Sequence, residues 1–162
     1  MENNPVNESY SLSDELESFI QYTEASTGQR FLNFLIDNLV MRYGLSYITG
    51  LFVGYLLVTV APDFTYQLFT NEGSWGFLLL AYILGIFNYI IYYTFSEKLF
   101  RGYTLGKLIT GTRALRQDGS ELTFKDAILR SLSRLVPFEP FSAFGRRPWH
   151  DTWTNTVVVK SR

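Results

Sequence analysis

The chain has 162 residues, enough for one domain, with 47% apolar residues, 17% aromatics and a mean hydropathy just above zero. It contains no cysteine, which excludes disulfides, thiolate metal sites and cysteine nucleophiles and disfavours a small stapled secreted fold. The net charge of −1 conceals an asymmetry: residues 1–29 hold six acids and no Lys or Arg, whereas residues 97–162 hold twelve of the fourteen cations against six acids.

In chain order, residues 1–27 are acidic and polar. They read as a flexible cytoplasmic N-terminus and lack the positive start and apolar stretch of a signal peptide. Residues 31–61 are apolar apart from Asp37 and Arg42. Two placements stay open: a span over 43–61 with Asp37 near the inner interface, or a span from about 31 with Asp37 deeper. A helix over the whole stretch would be about 46 Å long, more than the roughly 30 Å of bilayer hydrocarbon. Pro62 and Asp63 end it, and the connection 62–74 carries no Lys or Arg. Residues 73–96 are uncharged, and they predict a second span over about 74–96, with Trp75 at one end and Tyr92 and Tyr93 at the other as aromatic anchors. Ser46, Gly50 and Gly54 in the first span, and Ala81 and Gly85 in the second, recur every four residues. Such ridges allow close approach to the other span or to a second copy.

The cations after residue 97 place that segment in the cytoplasm by the positive-inside rule. The expected topology is a multi-pass protein of the cytoplasmic (inner) membrane with both termini inside. Gly102 stops the second helix. Gly102-Tyr-Thr-Leu-Gly-Lys107 is one residue short of a phosphate loop, and Leu108 stands where Ser or Thr is needed, so no nucleotide site is expected. Residues 112–116 predict a short strand, and Asp118–Gly119 a turn. Residues 123–136 predict a helix with Thr123 as N-cap and an apolar face of Ile128, Leu129, Leu132, Leu135 and Val136. With Arg130 and Arg134 beside that face it is a basic amphipathic helix, lying on or dipping into the anionic inner leaflet. Lys98, Arg101, Arg130 and Arg134 are the expected lipid-headgroup contacts. Pro137 and Pro140 break the chain. Thr156–Lys160 predicts a strand whose nearest partner is 112–116, the pair capping the helices from the cytoplasmic side. The expected fold class is an all-α integral membrane protein: two transmembrane helices, a third amphipathic or partly inserted helix and a small cytoplasmic two-strand element, within a membrane domain over 28–160.

Three charged residues are the candidate site. Arg30 stands just before the first apolar stretch, Asp37 lies two turns or about 10 Å on, and Asp151 in the tail is therefore the expected direct partner of Arg30. The segments Gln29-Arg30-Phe-Leu-Asn-Phe-Leu-Ile-Asp37, Gly102-Tyr-Thr-Leu-Gly-Lys107 and Trp149-His-Asp151-Thr-Trp-Thr-Asn-Thr-Val157-Val158, in that order, resemble the RDD family of membrane proteins over roughly residues 27–160. That family is named for an Arg and two Asp, which fall on Arg30, Asp37 and Asp151. The resemblance implies a membrane protein for which transport, including cation/proton exchange in some members, has been suggested. The chain departs from the pattern in having few apolar residues over 126–144, which weakens a complete third span.

Two functions follow from different readings of the charges. In one, Asp37 is an ion or proton site helped by Asn33, Asn38 and Asn88, in a small transporter or transporter subunit. In the other, Arg30, Asp37 and Asp151 form a structural cluster in a non-transporting membrane scaffold or assembly partner. A carboxylate at bilayer depth must be paired, protonated or wet in either case. Arg42 complicates both, since it could pair with Asp37 and would repel a cation. Catalysis is not expected: His150 beside Asp151 suggests a base, but no nucleophile is marked, and a lone His without Cys does not build a zinc site. No metal or cofactor is expected. The expected partners are membrane lipid and either a second copy or another membrane protein. Nucleic acid is not among them, because topology already explains the basic half.

Overall fold

The structure, a computed structural model, describes residues 22–70, 75–142 and 147–161. Helix α1 (Thr27–Leu39) begins at a capping box: the Ser26 hydroxyl accepts from the Gln29 N–H, and the Gln29 side chain accepts from the Ser26 N–H. A turn of π-helix, Val40–Leu45, joins it to α2 (Ser46–Val60), so one helix runs without a break over Thr27–Val60. Asp37 therefore lies inside the helix rather than ahead of it. The π turn has a use. Asn33, Asp37 and Met41 are buried at intervals of four, and the next inward polar residue, Ser46, follows five on. One wide turn thus keeps a single side of a long helix facing its neighbour.

The connection after Ala61 is not the plain loop its composition suggests. Pro62–Thr70 forms helix α3, with Pro62 at its first position, where a missing N–H costs nothing. Residues 71–74 of the expected outer loop lie outside the described residues. Helix α4 (Trp75–Leu99) is the second helix long and apolar enough to cross a membrane. The glycines of these ridges do not lock the helices together, since a Cβ built on Gly50, Gly54 or Gly85 would meet nothing within 4 Å. A polar contact does bridge them: the Asn88 amide donates to Thr49 Oγ1 at 2.8 Å. Tyr92 and Tyr93 are not interfacial anchors. Tyr92 donates to Asp37, and Tyr93 is buried beneath the Arg134 guanidinium.

Beyond α4 the chain builds a compact cap of α5 (Leu105–Thr110), β1 (Thr112–Arg116), α6 (Phe124–Ser133), α7 (Glu139–Ser142), α8 (Trp149–Trp153) and β2 (Thr156–Lys160). Gly102 makes the bend after α4 at φ 94°, and any side chain there would run into the Ala114 carbonyl. The two expected strands pair antiparallel, from Thr112 opposite Lys160 to Arg116 opposite Thr156. Their core is small, with Ala114 and Val158 against Ala25 and Leu122 on one side and Leu115, Val157 and Val159 on the other.

Two sequence expectations need correction here. The N-terminal segment does not stay apart up to residue 27: Glu24 bridges Val159, and the Ala25 N–H donates to the Val158 carbonyl at 2.9 Å. An open edge of β2 would otherwise leave backbone groups unpaired. The rest of the acidic segment, residues 1–21, lies outside the described residues. Helix α6 starts after Thr123, its N-cap as the sequence predicts, with a capping box to Asp126, but it turns Arg130 inward rather than toward lipid headgroups. It buries Ala127, Arg130 and Ser131, while Leu129 and Leu132 stay exposed. Ala127 and Ser131 are small enough to bring α6 against α4, where the Ser131 and Thr94 hydroxyls bond at 2.9 Å.

Candidate functional site

The fold draws the charged residues of five elements into one buried chain of ion pairs. Arg30, in the first turn of α1, donates through Nη1 to Asp151 Oδ2 at 2.5 Å and through Nε to the Ala25 carbonyl at 3.2 Å. Asp151, on α8, also accepts from Arg130 Nη1 of α6 at 2.6 Å. Arg130 Nε reaches Glu97 Oε2 at the end of α4 at 2.8 Å. Glu97 Oε1 in turn accepts from Lys107 Nζ of α5 at 2.5 Å and from Arg134 Nη2 at 2.7 Å. Glu97, Arg130 and Asp151 are 0% exposed, so water screens none of these contacts. Arg130 Nη2 and Arg134 Nη1 have no acceptor among the described residues, and the Tyr93 ring lies 4.3 Å from the Arg134 guanidinium carbon.

Asp37 belongs to a second unit. Its Oδ1 accepts from the Tyr92 hydroxyl at 2.7 Å and from the Gly106 N–H at 2.8 Å, and its Oδ2 accepts from Thr104 Oγ1 at 2.7 Å. The carboxylate thus clamps the start of α5 to α1. A Cβ on Gly106 would collide with the Asn33 backbone, so glycine there is what lets the two helices meet. The phosphate-loop likeness of residues 102–107 therefore has a packing explanation.

Of the other predicted site residues, Asn33 is buried beside Asp37 and shares hydrogen bonds with the Thr110 and Thr112 hydroxyls. Asn38 bonds back to the Phe34 carbonyl of its own helix at 2.9 Å, and Asn88 sits with Thr49 and Ser46 in a separate contact. Hence Asn33, Asn38 and Asn88 do not line one polar pathway. Arg42 is exposed and forms no ion pair among the described residues. Lys98 and Arg101 are exposed, but Arg130 and Arg134 are not headgroup contacts. Buried carboxylates of Glu97 and Asp151 attract them inward more strongly than an exposed interface could. Sequence reasoning missed Glu97, whose signal was slight: it is the first charge after the uncharged run. Arg130 and Arg134, one turn apart beside Ala127 and Ser131, mark the face that meets it.

Around the tail, burial would raise the Asp151 carboxyl, but Arg130, His150 and Arg30 outweigh it and hold it well below the usual range. Burial lowers the Lys107 ammonium to about 8, against the pull of Glu97. Burial, reinforced by Arg134 and Arg130, lowers His150 to about 4, against Asp151 and the hydrogen bond to Glu139. The folded protein therefore keeps His150 neutral where the unfolded chain protonates its histidine, near 6.5. The unfolded state binds the extra proton between those values, so stability is full above about pH 6.5 and falls as the pH drops toward 4. We expect the melting temperature to fall over that window and His150→Gln to flatten the upper half of the fall. Parallel curves for parent and variant between about pH 7 and 5 would show that the imidazole is not held neutral.

A cavity of about 440 Å³ opens beside this network, walled by Phe31, Phe34, Tyr89 and Tyr93, with Asp37 and Arg134 at its edge. The architecture defines a class: two long apolar helices capped by a small sheet-and-helix unit, the cap held on by buried ions. The RDD family's sequence model matches residues 24–158, and the chain belongs to that family. No curated protein and no solved structure matches the chain.

Proposed function

We propose that this chain is a multi-pass protein of the cytoplasmic membrane, both termini inside, acting as a non-transporting scaffold or assembly partner. The engaged state of Asp37 carries this reading. A cation site needs several oxygen lone pairs free to bind, and the Asp37 carboxylate commits three of its roughly four lone-pair sites to the Tyr92 and Thr104 hydroxyls and the Gly106 N–H. The alternative, a small ion- or proton-coupled transporter, calls for a polar route joining Asp37 to Asn88. Asn88 instead bonds between the two helices and lies apart from the cavity beside Asp37. The orientation rests on the twelve cations after residue 97. The partner is a second copy or another membrane protein, received on the open glycine ridge of α2. No reaction is assigned to the chain; Arg30, Lys107, Arg130 and Arg134 are engaged in the ionic network, and topology accounts for the remaining cations without nucleic acid.

The test is Asp37→Asn, compared with the parent in liposomes and in detergent. An amide cannot accept on its nitrogen, so at least one donor is left unpaired, at a cost of about 1–3 kcal/mol. The scaffold reading expects a lower melting temperature, and proton and sodium fluxes in parent liposomes equal to those of protein-free vesicles. A parent flux that Asp37→Asn abolishes without changing the melting temperature would establish the transporter instead.

A further inference from the structure

A helix standing in water turns its apolar residues inward and its cations outward. Two helices of the cap do the reverse. α5 buries Gly106 and Lys107 and leaves Leu108 and Ile109 52% and 70% exposed. α6 buries Arg130 and leaves Phe124, Leu129 and Leu132 between 41% and 50% exposed. This inversion is the arrangement expected where the surroundings are less polar than the interior. The outward surface of α6 also continues that of α4: the Phe95 and Phe124 rings meet edge to face at 6.3 Å, and Leu99 and Phe100 are exposed beside them. The exposed cations on these helices, Lys98 and Lys125, stand at the end of α4 and in the first turn of α6, where long side chains reach a headgroup level, and further exposed charges gather around Arg101, Arg116, Asp118 and Glu121.

We propose that α5 and α6 lie within the cytoplasmic leaflet, with Leu108, Ile109, Leu129 and Leu132 against lipid acyl chains. The band of Arg101, Arg116, Asp118 and Glu121 then marks the headgroup level. The dimensions agree: the ten residues of α6 make a helix about 15 Å long, half the hydrocarbon thickness. Immersion also demands that helix ends keep no bare N–H groups. Thr104 caps α5 by accepting from the Lys107 N–H, and Thr123 caps α6 by accepting from the Asp126 N–H. The ionic network is then a core sealed from lipid by these two leucine faces.

The inference rests on the membrane reading above, so the test reports on each separately. The chain has no cysteine, and single substitutions Leu79→Cys, Leu108→Cys, Leu132→Cys and Asp118→Cys fall on outward residues and spare the packing. Each is labelled with bimane and reconstituted in phosphatidylcholine–phosphatidylglycerol vesicles. Emission is read with lipids brominated on the acyl chains and with iodide on both sides of the membrane. Loss of emission to brominated lipid, and none to iodide, is expected at positions 79, 108 and 132, with the reverse at 118. Lipid quenching at 79 but iodide quenching at 108 and 132 would overturn this proposal and leave the spans standing. Failure at 79 as well would overturn the membrane reading itself. Protection from both quenchers at 108 and 132 would mean that protein covers the faces, which also overturns it.

Discussion

Glu97→Ala is expected to lower the melting temperature in detergent by on the order of 10 °C or more, the largest loss for any single side chain of the network. Removing one member of a buried pair costs about 3–5 kcal/mol, because the partner stays in a low-dielectric site without its counter-charge. Glu97 is the shared counter-charge of Lys107, Arg130 and Arg134, and its side chain is 0% exposed. Its loss strands Lys107 of α5 and Arg134 at the end of α6 and leaves Arg130 with Asp151 alone, and α6 is the element that packs against α4. Glu97→Gln keeps the volume and one acceptor oxygen, so it should fall between Ala and the parent. Because the pairs are buried, adding salt should change the parent's melting temperature little. Melting of Glu97→Ala within a few degrees of the parent would mean that the cap is held on by something else.

Asp151→Ala comes second, with an expected cost of about 3–5 kcal/mol. Asp151 ties α8 to both α1 and α6 through Arg30 and Arg130, and Arg130 keeps Glu97 when Asp151 is removed. That residual partner is why the loss should be smaller than for Glu97. The two ends of the Arg30–Asp151 pair should not act independently. Arg30→Ala with Asp151→Ala should cost clearly less than the sum of the single losses, because the second change removes a charge already stranded by the first. Strictly additive losses in detergent melts would show that the two side chains are uncoupled.

The elements themselves were largely legible in the sequence. Uncharged runs of bilayer length marked the two long helices, and their motifs placed the chain in its family. Thr123 as N-cap marked the start of α6, and two short β-rich segments marked the strands that pair. Local signals suffice for these because caps, turns and hydropathy act within a few residues. The π turn after Asp37 and the helix Pro62–Thr70 were not visible, since neither residue type nor spacing distinguishes them from ordinary helix and loop.

The site was half legible. The sequence favoured Asp151 over Asp37 as the partner of Arg30, because two turns of helix hold Arg30 and Asp37 about 10 Å apart. It gave no hint that Asp37 would be spent on Tyr92, Thr104 and Gly106, residues 55 to 69 positions away. It also pointed Arg130 and Arg134 toward lipid when the fold turns them inward. An amphipathic pattern says that a helix has two faces, but which face is buried depends on what waits opposite. Here Glu97 and Asp151 wait opposite, brought there by the bend at Gly102 and by the pairing of β1 with β2. Hydropathy and capping, which are local, were therefore fixed by the chain alone. The destination of each buried charge was decided only in three dimensions, where a counter-charge from a distant segment offsets the cost of taking it out of water.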